Sequence, residues 1–203
     1  MGLIAVIMIA MKVTKQKSAE NRRALLRAAG KLFKQRGIDG VGVADIGKEA
    51  GLTHGALYAQ FRSKEELAAE ALADGLERGY SRRVVEAGDK FDLAEYLDWY
   101  LSKRHRDGLA TGCAMTASGS EIARQGKKVS RAFADGFERF AENLEHHLRD
   151  SNVAASDRER ALTIASAAIG AIIVSRAVAK ADPKLADEIL AASRRTVGEL
   201  TGV

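Results

Sequence analysis

With 203 residues, 46% of them apolar and only one proline, the chain has material for a small module and a second helical domain. Its abundant Ala, Leu, Glu, Lys and Arg favour helix throughout, and continuous strand-type alternation, low-complexity linkers and clear repeats are missing, so the expected class is all-α. The formal charge is +5, and the lone Cys113 leaves no intrachain disulfide and no cysteine-based zinc cluster, consistent with a reducing, cytoplasmic setting.

The chain opens on MGLIAVIMIAM, an apolar run shorter than the roughly 20 residues needed to cross a membrane. It has no basic leader and no A-x-A cleavage site, so neither secretion nor membrane insertion is expected. Residues 1–16 read as an N-terminal arm, with translation starting in fact at Met8 or Met11, or as a segment that packs on the following domain. From Lys12 to Lys64 there are twelve basic and four acidic residues, a local charge of +8 that leaves about −3 for the rest. Basicity gathered in one stretch is the footprint expected of a nucleic-acid-binding unit.

Within that stretch, VADIGKEAGLTHGALYAQFRSKEEL carries two short helical patterns broken at Gly51. Val43, Ile46, Gly47 and Ala50 fall at helical spacing, and Gly51 can take the left-handed conformation that ends a helix tightly. Leu52 can plug the angle between the helices, and Thr53 offers its hydroxyl to the free amides of a helix starting at His54. Leu57 and Phe61, four apart, can face inward, leaving His54, Gly55, Ala56, Tyr58, Ala59 and Gln60 nearer the outside. Ser63 and Glu66 then form an S-x-x-E capping box, so a long helix is expected over 64–86. The arrangement is a helix-turn-helix, and the plainer alternative is a helical hairpin in a core.

The residues RALLRAAGKLFKQRGIDGVGVADIGKEAGLTHGALYAQFRSKEELAAEAL resemble the TetR/AcrR family of bacterial transcriptional regulators. The likeness rests on an Ala and a Phe in helix one, a following Gly, an Ile in helix two and a run close to G-[LV]-[ST]-x-G-x-[LI]-Y-x-x-F-x-S-K-E-x-L. It implies that 17–63 form the DNA-binding domain and that His54 to Gln60 lie in the recognition helix. It also implies that Thr53, Tyr58 and Lys64 touch phosphates of a double-stranded operator. Chemically, Tyr58 and Lys64 can fix register on phosphates, and His54 or Gln60 can read base edges. Tyr58 could instead be part-buried packing, and Gly55 serves either helix packing or close approach to DNA. Gly42 stands where the family often has a capping Thr or Ser, Ala59 replaces a larger aromatic or basic residue, and Gln60 replaces His. These departures bear on which operator is read.

After a break at AGDK, further helices are expected over 92–106, 113–125, 127–149, 157–180 and 184–200. In the last pair Asp182 caps a helix whose first position is Pro183. The resemblance implies that 64–203 form an effector-binding and dimerisation domain, the final helices building a homodimer that presents two recognition helices to a palindromic operator. Ala168, Gly170, Ala171, Ile172 and Ile173 could equally pack within one chain. It implies, too, a small-molecule effector of unknown identity in a pocket lined by Tyr96, Trp99, Tyr100, Cys113, Met115, Phe133 and Phe137, with Phe140 nearby. Each of these is also an ordinary core residue by spacing.

Cys113 sits at an expected helix start, where the dipole stabilises a thiolate, and G-C-x-x-x-x-A-x-x-x-E resembles a branch of the family in which some members sense with this cysteine. Its alternative is a small buried apolar side chain. His146 and His147 point to different faces without a Glu-x-x-His partner, so no metal and no cofactor are expected. Ser118, Gly119, Ser120 and Gly126 build neither a phosphate loop nor G-x-S-x-G. An enzyme, the rival reading, would have to draw on His105, Cys113 or Glu121. The chain is expected to be a regulator, in this family usually a repressor released from DNA by its effector.

Overall fold

The computed structural model describes residues 2–148 and 155–202, with side chains from Thr14 onward except at 80–83 and 89. Among the described residues there are eleven α-helices and no strand. An N-terminal set comprises α1 (Gly2–Arg36), α2 (Val43–Ala50) and α3 (His54–Tyr58). Then come α4 (Lys64–Glu77), α5 (Tyr80–Ala87), α6 (Leu93–Tyr100), α7 (Lys103–Asp107) and α8 (Ala114–Ile122), followed by α9 (Lys127–His147), α10 (Asp157–Val178) and α11 (Pro183–Thr201). Helix α1 runs unbroken past residue 16, so the expected boundary between arm and domain is not marked by any break in the backbone.

The N-terminal core follows from spacing. Leu25, Ala29, Leu32 and Phe33 recur at three and four residues on α1 and bury one stripe. Against it lie Ile46 of α2, Leu57 of α3, Phe61 and Leu67 of α4, each at most 1% exposed. Burying a side chain of this size stabilises by about 1.5–3 kcal/mol, so this small set holds the short α2 and α3 in place. At 22 residues α10 is long and apolar enough to cross a membrane, yet it buries Ile164, Ala165, Ala168 and Ile172 in the C-terminal core. That core is built by α9, α10 and α11, with Phe140, Leu144, Leu190 and Val197 from the flanking helices. The Ser175 hydroxyl donates to the Ala186 carbonyl at 2.8 Å and ties α10 to α11.

Several boundaries differ from the expectation. The helix expected over 64–86 ends at Glu77 and resumes at Tyr80, because Gly79 leaves helical geometry at ψ −111°. The helix expected over 92–106 is two helices, since the Ser102 hydroxyl caps α7 by accepting the His105 N–H at 3.2 Å. Glu66 does not complete the box with Ser63. Ser63 caps α4 by accepting the Glu66 N–H at 3.1 Å, while the Glu66 carboxylate accepts the Arg62 N–H at 2.6 Å.

Helices α4 and α9 cross closely where Gly136 meets Leu76; a Cβ there would stand 2.2 Å from Leu76 Cδ1.

Candidate nucleic-acid interface and adjoining cavity

The turn between α2 and α3 is built as its residues dictate. Gly51 takes φ 67°, and the Leu52 N–H closes the turn on the Gly47 carbonyl at 2.9 Å. Thr53, in extended geometry, accepts the Ala56 N–H at 3.3 Å and starts α3. Leu57 is the buried residue of α3, so Thr53, His54, Gly55, Tyr58 and Ala59 are left exposed, with Ala56, Gln60 and Lys64 half-buried. Tyr58 is 48% exposed and packs its ring 4.8 Å from that of His54. A Cβ on Gly55 would meet nothing within 4 Å, so internal packing does not require glycine there.

Not all the basic residues of this region are available to a partner. Arg22 pairs with Glu70, donates to the Gln60 carbonyl and lies over the Phe61 ring at 4.3 Å. Lys31 pairs with Glu49 at 2.6 Å, and Lys34 turns away towards the interior, donating to the Gly112 carbonyl at 3.4 Å. Arg23, Arg27, Arg36, Lys48 and Arg62 are exposed. Gln60 donates its side-chain amide to Ser18 at 2.9 Å, so reading a base would require it to exchange that partner.

Behind the head lies a cavity of about 260 Å³ walled by five helices. Tyr96, Trp99 and Tyr100 come from α6, Cys113 and Met115 from the start of α8, Gly136, Arg139 and Phe140 from α9, Leu76 from α4 with Arg78 at its end, and Lys34 from α1. Tyr100 stacks on Phe140 with centroids 6.0 Å apart, and Trp99 stacks on His105 at 4.8 Å. Phe133 and Phe137 do not line this space but pack on the core beside it. On α9 Phe137 lies one residue, about 100°, round from Gly136, and Phe133 lies two turns before Phe140 on nearly the same face, displaced about 10 Å along the helix. A second space of about 320 Å³ shares Lys34, Gly75, Arg78 and Thr111 with the first and extends between α1, α4 and α8.

The start of α8 is fixed by His105. One ring nitrogen, Nε2, accepts the Cys113 N–H at 3.0 Å, and the other, Nδ1, lies 2.6 Å from the Tyr100 carbonyl. A carbonyl can only accept, so Nδ1 carries the proton and the ring is neutral. Both nitrogens are thereby engaged with backbone and neither is aimed at the Cys113 thiol. At the other end of α8, Glu121 accepts the Asp39 N–H at 3.0 Å, joining α8 to the loop between α1 and α2. Among the described residues no three His, Cys, Asp or Glu side chains gather as a metal site.

Residues 25–71 match the family described as bacterial regulatory proteins of the tetR family, and residues 92–185 match the C-terminal domain of LmrA/YxaF-like transcriptional regulators. The chain belongs to the TetR family. Its likeness to the regulator LmrA of Bacillus subtilis (strain 168) is 26% identity over 173 residues, covering 82% of this chain and 92% of LmrA. TtgR of Pseudomonas putida is 37% identical over 81 residues, a match spanning only 38% of TtgR and confined to 39% of this chain. Reduced NemR of E. coli shares the fold, with a TM-score of 0.72 at 20% identity over 87% of this chain and 94% of that one. The TetR-family head and C-terminal domain thus coincide with the exposed α3 and with the helices that wall most of the cavity.

Proposed function

We propose that this TetR-family regulator is a repressor that binds a palindromic operator as a dimer and is released by a small molecule held in the 260 Å³ cavity. The observation that carries the reading is α3: a capped helix that leaves His54, Gly55 and Tyr58 exposed and whose inward anchor is Leu57. Open space around Gly55 lets a groove wall approach the backbone, and Tyr58 and Lys64 flank it as phosphate contacts. We take 17–63 as the DNA-binding domain and 64–203 as the effector and dimerisation domain, acting in the cytoplasm where a bacterial operator lies.

Dimerisation is supported by the outer face of α10. Thr163, Ala167, Gly170, Val174 and Ala177 recur at helical spacing, are exposed or half-buried, and present small side chains that let a second helix approach closely. Leu185 on α11 is 42% exposed on the same pair of helices. Effector response is supported by two links across the molecule: Lys34 of α1 forms part of the cavity wall, and α8 joins the cavity at Cys113 to the head loop at Glu121. An effector that pulls on either biases the spacing of the two heads.

A gel-shift titration on the DNA upstream of the protein's own reading frame, against scrambled DNA at two salt concentrations, tests the reading. Discrimination of about a thousandfold, weakening with salt, is expected of a specific regulator. Equal binding to both DNAs would defeat the claim of a specific operator there.

A further inference from the structure

The cavity has an unbalanced charge. Among the described residues Lys34 has no carboxylate within ion-pair distance, its ammonium meeting only the Gly112 carbonyl. Arg176 stands behind Gly112, where a Cβ would lie 3.0 Å from its terminal nitrogen, and makes three hydrogen bonds, all to neutral oxygens: Arg106 O at 2.7 Å, Thr116 Oγ1 at 2.9 Å and His105 O at 3.0 Å. Arg78 at the mouth has Asp74 beside it at 2.5 Å and Arg139 has Glu77 at 4.0 Å, so among the described residues Lys34 is the cation lining the cavity that has no carboxylate of its own. Burial, with Arg78 and Arg176 close by, holds the Lys34 ammonium below the usual lysine range, and burial lowers Arg176 likewise.

A second observation is independent of charge. Tyr100 lines the cavity, is 1% exposed, and among the described residues its hydroxyl has no hydrogen-bond partner of normal geometry, only the Cys113 thiol nearby. A buried hydroxyl without a partner is unusual in a folded protein and fits a site meant to be filled. Its ionisation is pushed well above the usual tyrosine range, chiefly by burial, so it stays a donor at neutral pH. At the Gly112–Cys113 corner Lys34 thus meets a neutral carbonyl and no carboxylate, and the Tyr100 hydroxyl lies close by, while Tyr96, Trp99 and Phe140 supply a flat apolar wall.

We propose that the effector is an organic anion, a carboxylate on an aromatic body, whose charge sits at the Gly112–Cys113 corner against Lys34 and the Tyr100 hydroxyl and whose ring lies on Tyr96, Trp99 and Phe140. The proposal rests on the reading of this cavity as the effector site. A bound carboxylate supplies the acceptor that Tyr100 lacks and the counter-charge that Lys34 lacks.

Trp99 is the sole tryptophan, so its fluorescence reports occupancy directly. Purified full-length protein is titrated with 2-naphthoate and, separately, with the uncharged isostere 2-naphthamide. The expected result is saturable quenching with naphthoate bound at least about tenfold more tightly, the scale of one charge-assisted contact. Lys34→Met is expected to erase that preference while still binding naphthamide, and Lys34→Arg to keep it. Equal affinity for the two probes, or a preference that survives in Lys34→Met, overturns the anion proposal and leaves the cavity reading standing. No quenching by either probe overturns both.

Discussion

Thr53 does two separable things. Its hydroxyl accepts the Ala56 N–H, and it is itself exposed at the start of α3, next to His54. Replacing it with Ala is expected to cost about 1 kcal/mol from the lost cap, visible as a lower melting temperature, and to weaken DNA binding further. Gly55 separates folding from binding more cleanly. Because the space around its Cβ position is empty and Ala is the better helix former, Gly55→Ala should leave the melting temperature unchanged or slightly raised. Operator affinity in a gel shift should nonetheless fall; full retention would show that DNA does not approach this face. Lys64→Ala should weaken specific and scrambled DNA alike and reduce the salt slope by about one, the signature of a phosphate contact rather than a base contact.

Residues at this scale were legible where their chemistry is local. Gly51 and Thr53 act through backbone groups within four positions, and both do so as their types require. Lys34 was not. It reads as one more cation of the DNA-binding stretch, and only its place on the inner face of α1 turns it towards the cavity.

At the scale of elements, the crossing of α4 and α9 and the strut from α7 to α11 hold the helices in register. Gly136→Ala would drive a methyl into Leu76, so a loss of about 1–3 kcal/mol in a denaturant titration is expected from overpacking. In the strut, Asp187 pairs with Lys103 at 2.6 Å and with Arg106 at 2.8 Å, and these two cations, Lys103 first, hold its carboxyl below the usual aspartate range. A carboxyl whose folded value is depressed gives stability that is present above its unfolded value, about 3.9, and lost as pH falls through the lower folded value. The melting temperature should therefore drop in that acid window, and Asp187→Asn should flatten the drop while lowering the plateau at neutral pH. An unchanged acid profile in the variant would remove Asp187 from the account.

Elements also show why some boundaries were misplaced. A glycine inside a helix costs only about 1 kcal/mol, so the pattern around Gly79 read as continuous, and the break there is decided by how α5 packs on α9. Glu66 lay at the box spacing from Ser63 yet took the Arg62 N–H, a choice between two amides one residue apart. Phe133 and Phe137 share the apolar character of Phe140, and which of the three meets the cavity depends on the rotation of α9 for Phe137 and on the position along α9 for Phe133.

For the whole molecule, the outer face of α10 makes the sharpest test. Nothing lies within 4 Å of a Cβ on Gly170, so Gly170→Glu should fold as one chain but place a charge in any interface built on that face. Sedimentation is expected to show a monomer and the gel shift a loss of operator binding; a dimer that persists would move the interface elsewhere.

By itself the sequence determined the all-helical class, the helix-turn-helix with its exposed residues, and the family, because caps, turns and apolar periodicity are written in residues a few positions apart. Only the tertiary structure decided the inward turn of Lys34, the neutral tautomer of His105, the hydroxyl of Tyr100 left without a partner among the described residues and the link from Glu121 to the head loop. Those features depend on α1, α4, α6, α8 and α9 meeting in space. The charge and hydrogen-bond balance of a cavity is a property of that meeting, not of any one segment.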